Sequence, residues 1–157
     1  MSEFLTAVLA AAFTVVLTAS WDVRARRAVR LDEAVVELRL AASDYWIHHL
    51  QASAGKQGHQ LPPTDLFRAC MLVEAHASRG VKWAHPHRHS LGATIRNLQQ
   101  TLSAEWTKPD VGRHVQIVQA MEAAALKWIS ESGSWRGDRS GELLDLMDEP
   151  VPATETP

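Results

Sequence analysis

The chain has 157 residues, about the size of one domain, with 16 Lys+Arg against 18 Asp+Glu and a formal net charge of −2. That balance excludes a general nucleic-acid binder, which needs a broad basic surface. Hydrophobic residues at 46% exclude global disorder, and a single cysteine, Cys70, excludes an intramolecular disulfide or a cysteine-built zinc cage.

Residues 4–21 carry no charge between Glu3 and Asp22. Eighteen helical residues cover roughly 27 Å, just enough for a hydrocarbon core of about 30 Å. Thr6, Thr14 and Thr18 can return their hydroxyl bonds to the helix backbone, and Trp21 closes the run where an interfacial aromatic belongs. A cleaved signal peptide needs a basic start, but Met1-Ser2-Glu3 is acidic, and Arg24, Arg26, Arg27 and Arg30 follow the apolar run. The alternatives are a single-span anchor and a core helix of a soluble bundle with 4–21 buried. The anchor is the expected reading. The positive-inside bias then leaves the N-terminus outside and everything after residue 22 in the cytoplasm.

From Arg24 to Gln51 there is no Pro or Gly, and the anchor helix is expected to continue to about residue 52. Ala28, Leu31, Val35, Leu38, Ala42, Tyr45 and His49 alternate by three and four, an a/d seam that also permits parallel self-association. Val29, Val36, Leu40 and Ile47 form a second apolar stripe, so this helix is expected to be buried by several neighbours. A loop follows at 53–63. Thr64 is the expected N-cap of a second helix carrying Leu66, Phe67, Cys70, Met71, Val73 and Ala77, which Gly80 ends. After a loop at 79–89, Ser90 is expected to cap a third helix with Leu91, Ile95, Leu98, Leu102 and Trp106 on one stripe. Past Lys108-Pro109-Asp110, a fourth carries Val111, Val115, Val118, Met121, Ala125, Trp128 and Ile129. Ser140 to Asp148 suggests a short fifth helix, either folded back as a cap or serving as a docking peptide, and 149–157 a tail.

The expected fold is therefore all-α: an anchor at 1–22, a cytoplasmic up-down antiparallel bundle at 23–148 and a tail. This topology brings loops 79–89 and 133–140 to the membrane end. A membrane-interface set follows: Trp21, Arg24, Arg26, Arg27, Arg30, Lys82, Trp83, Trp135 and Arg136, with lipid as a partner. His85, His87 and His89 alternate, and in an extended segment they would share one side, as metal ligands could. Pro86 and Arg88 between them fit a solvated loop better, one whose histidines titrate near pH 6.5. No catalytic serine elbow, phosphate loop or dinucleotide fingerprint is present, so neither a cofactor nor a catalytic residue is assigned. The expectation is a membrane-tethered, non-enzymatic interaction module, such as a phage- or prophage-type exclusion factor or an accessory subunit of a bacterial envelope complex. A metal-dependent enzyme or sensor built on the three histidines is the alternative.

Overall fold

The computed structural model is all-helical. It describes the backbone of residues 2–54, 63–80, 82, 84–106 and 111–148; of these, the side chains at 2–12, 49–54, 111 and 132 lie outside the described ones. The helices are α1 (Ser2–Ala54), α2 (Thr64–Ala77), α3 (Pro86–Glu105), α4 (Val111–Glu131) and α5 (Ser140–Asp148), with a 3₁₀ turn at Ser132–Ser134.

Around the bundle α1 packs against α2 and α4, and α3 against α2 and α4. Side-chain contacts give the directions. Asp32 of α1 meets Trp128 of α4, while Tyr45 further along α1 lies over Trp106, which stacks on His114 at the start of α4. His87 and Trp106, near opposite ends of α3, stack on Trp128 and His114 respectively. Glu74 of α2 pairs with Arg96, and Ala77 faces Gly92, so α2 and α3 also run in opposite directions. Consecutive helices are therefore antiparallel, the expected up-down order. A Cβ at Gly92 would stand 3.0 Å from the Ala77 Cβ, so glycine permits the close approach of α2 and α3 there.

The core is where the strictest spacing predicts it. Leu31, Val35, Leu38 and Ala42 of α1, Leu66, Cys70 and Val73 of α2, and Leu91, Ile95, Leu98 and Leu102 of α3 are all buried. On α4 the buried face is His114, Ile117, Val118, Met121, Ala124, Ala125 and Trp128. Val115 is half-buried and Ile129 exposed, which shifts the expected stripe by part of a turn towards Ile117.

Three further expectations are corrected. Val29, Val36, Leu40 and Ile47 are exposed, because α1 has neighbours on one side only. The Ala28–Tyr45 seam faces α2 and α4 and is not free for self-association; His49 lies outside the described side chains. The helix starts also differ. α2 begins at Thr64 after Pro63, with no side-chain cap, and α3 begins at Pro86, whose fixed φ suits a first helical position. Ser90 is already inside α3 and donates its hydroxyl to the Pro86 carbonyl.

The N-terminal half of α1 stands clear of the bundle. Residues 13–27 are exposed on every side, with Trp21 75% exposed. The reading that buries 4–21 in the bundle therefore fails for residues 13–21. Among the described residues no helix is long and apolar enough to cross a membrane. The apolar run 4–21 draws on side chains 4–12, which lie outside the described ones.

Candidate functional site

The end of the bundle from which α1 projects gathers the 79–89 and 132–139 connections. Asp32 of α1 accepts a 3.2 Å hydrogen bond from the Trp128 indole N–H of α4. His87, in the first turn of α3, stacks on Trp128 with ring centroids 5.9 Å apart, and His85 meets His87 edge-on at 6.3 Å. Trp128 also meets Trp135 edge-on at 6.2 Å, and the Arg139 guanidinium covers Trp135 at 5.4 Å. The result is a chain of ring contacts, one stacked and two edge-on, ending at a cation over an indole face.

The 132–139 segment is held down by short polar contacts. The Arg139 amide donates to Thr94 Oγ1 at 3.0 Å, and Arg136 donates to the carbonyls of Gly133 and Trp135. Asp138 accepts from the Ser140 amide and hydroxyl and from Asn97. Burial works to raise its pKa, but these donors, together with Thr94, outweigh that and hold the carboxyl below its ordinary value. Gly137 sits at φ 66°, the left-handed region that glycine enters without strain. Behind the turn, α5 folds back onto the bundle. Leu143 is buried, Lys127 pairs with Glu142, and Arg113 with Asp148. The acidic 142–148 segment is thus a cap rather than a free peptide.

The expected interface residues divide accordingly. Trp21, Arg24, Arg26, Arg27 and Arg30 lie exposed on the projecting half of α1, with Arg26 paired to Asp22. Lys82 and Arg136 are exposed at the same end of the bundle. Arg24 comes near enough to His85 to lower its pKa. Trp135 is corrected: at 1% exposure, in contact with Trp128 and Arg139, it is a core residue and has no ring to offer a membrane. Trp83 lies outside the described residues.

The histidine cluster is not the extended strip that alternation suggests. His85 precedes α3, while His87 and His89 are on its first turn, where two residues advance about 200° and face different ways. Among the described residues no three His, Cys, Asp or Glu side chains gather in a metal-holding group. Desolvation first, then the charges of Arg88 and Arg24, keep His85 below its ordinary pKa. Desolvation, Arg88, His85 and Arg136 do the same to His87. Titration near pH 6.5 is therefore corrected downward for both.

At the opposite end, His114 is buried and stacked on Trp106 at 5.2 Å, its Nε2–H donating to the Glu105 carbonyl at 2.7 Å. This bond ties the start of α4 to the last turn of α3.

Sequence reading missed the Asp32–Trp128 bond, which joins residues 96 positions apart. It also missed the Asp138 latch, although Asp two residues before a serine at a helix start is a recognisable turn signal. No family model, curated protein or solved structure matches the chain.

Proposed function

We propose that this chain is a single-span membrane protein whose helical bundle stands against the inner face of a bacterial membrane and works by binding another protein. One observation carries the reading: α1 leaves the bundle with Phe13, Val15, Val16, Leu17 and Trp21 all exposed. These residues continue the uncharged run that starts at residue 4. Large apolar side chains left exposed in such a row are costly in water, and lipid is one solvent that relieves the cost. The cations next to this half support an inside orientation for the bundle: Arg24, Arg26, Arg27 and Arg30 on α1, with Lys82 and Arg136 from the adjacent connections and Arg88 from the first turn of α3. An accessory subunit of an envelope complex, or a phage-type exclusion factor, has this layout.

The test is extraction and labelling of the full chain in bacterial cells. It should stay with membranes through an alkaline wash. A cysteine at position 2 should label from outside, and one at position 60 should not. Release by the wash defeats the anchor, and the reverse labelling defeats the orientation.

A further inference from the structure

The solvent face of α1 within the bundle is apolar where nothing covers it. Val29, Val36 and Leu40 recur at seven and four residues and are exposed, although the opposite face of the same helix is fully buried. A shallow open depression lies on the upper part of this face, lined by Val29, Asp32, Glu33, Val36 and Glu37 but not by Leu40. The lining holds three carboxylates, Asp32, Glu33 and Glu37, and no base, although over residues 29–40 as a whole Arg30 and Arg39 bring the balance to −1. An apolar floor between carboxylates is the complement of a helix with an apolar stripe flanked by Lys or Arg.

A second copy of this chain does not fit. Two α1 helices laid in parallel on this stripe would set Glu33 against Glu33 in one layer and Asp32 near Glu37, and like charges so placed are repulsive. Height then narrows the partner. Val29 is eight residues past Trp21, roughly 12 Å below the interface on the membrane reading, and the face runs along α1 away from it. At that depth other membrane proteins carry the basic residues of the positive-inside rule, often on helices continuing out of the bilayer. We infer that the exposed Val29–Val36–Leu40 face of α1, with the carboxylates of Asp32, Glu33 and Glu37 beside it, is a docking site for the cationic juxtamembrane helix of another membrane protein. The choice of a juxtamembrane source rests on the proposed anchor; the preference for a cationic helix does not.

The test uses the full chain in nanodiscs of uncharged lipid, with empty discs as control, and two labelled helical peptides: one Leu/Lys and one Leu/Glu with the same apolar stripe. Fluorescence anisotropy should show micromolar binding of the Leu/Lys peptide, weakened by salt, and binding of the Leu/Glu peptide at least about tenfold weaker. Glu33→Lys with Glu37→Lys should cost the Leu/Lys peptide about tenfold or more and improve the Leu/Glu peptide. Both positions are exposed, so the fold should tolerate the change, as unchanged thermal unfolding would verify. Val36→Ser with Leu40→Ser should weaken both peptides. Equal binding of the two peptides, or an affinity indifferent to the charge reversal, overturns the proposal. So does a dimer that those serines dissociate and that shuts the peptide out. Loss of the chain from membranes in an alkaline wash would refute the anchor alone and leave the peptide result standing.

Discussion

Leu38 and Leu40 are two residues apart on α1, and each belongs to an apolar stripe, yet their surroundings are opposite: Leu38 is 0% exposed and Leu40 is 59% exposed. Truncating Leu38 to Ala removes buried methyl groups from the core and leaves a cavity whose walls belong to rigid helices. Buried Leu→Ala changes cost about 3–5 kcal/mol. For a bundle of this size each kcal/mol moves Tm by about 3–4 °C, so a fall of about 10 °C or more is expected. Leu40→Ala deletes a side chain already in water and should stay within about 0.5 kcal/mol, or about 2 °C. The comparison is made on the full chain in one non-ionic detergent. Thermal and urea unfolding are followed by tryptophan fluorescence, to which the buried Trp128 and Trp135 contribute. Equal losses for the two variants, or a larger loss for Leu40→Ala, would mean that α1 presents its other face to α2 and α4. The docking face would disappear with it.

Cys70 is fully buried, with its Sγ 3.9 Å from the Met121 Sδ, and burial pushes its thiol up to about 12. It should resist thiol reagents in the native state and react only as fast as the bundle opens, so rapid stoichiometric modification at neutral pH would contradict the core assignment. His85 and His87 are held below their ordinary pKa, so the unfolded chain takes up their protons first as pH falls. Their contribution to stability is present above about pH 6.5 and is lost below it. A His87→Gln variant should therefore lose less Tm than the parent between pH 7.5 and about pH 5; parallel pH curves for the two would refute this sign.

Where a stripe was strict the fold could be read directly. The three-four spacing of Leu31, Val35, Leu38 and Ala42 marks a buried face, and the run Leu91, Ile95, Leu98, Leu102 does so for α3. What periodicity could not do was count neighbours. It registers that Val29, Val36 and Leu40 are apolar, but whether a helix lies against them depends on where the chain goes next. Helix starts were misplaced for a related reason. Ser90 has the better capping side chain, but Pro86 with its preset φ begins the turn, and tertiary stacking of His87 on Trp128 secures it. The accumulation of cations on α1 and at the adjacent end of the bundle could be read from the sequence. It was not legible that Trp135 belongs inside: an indole in a Gly- and Arg-rich connection reads as exposed until its contacts with the Trp128 ring and the Arg139 guanidinium are seen.

From Ser2 to Ala54 α1 contains neither Pro nor Gly, and its helix is unbroken from the projecting half into the core. At about 1.5 Å per residue it is a shaft of roughly 80 Å with no joint in it. Motion at one end therefore arrives at the other with leverage. Spanning helices tilt over tens of degrees in response to bilayer thickness and neighbours. Holding the upper end, a tilt change of about 10° would carry the lower end sideways by about 14 Å. Rotation about the axis would turn Leu31 and Leu38, and the helices seated on them, by the same angle. If α1 is the proposed anchor, the bundle would act as the pointer of a mechanical gauge whose needle is set by its surroundings at the top.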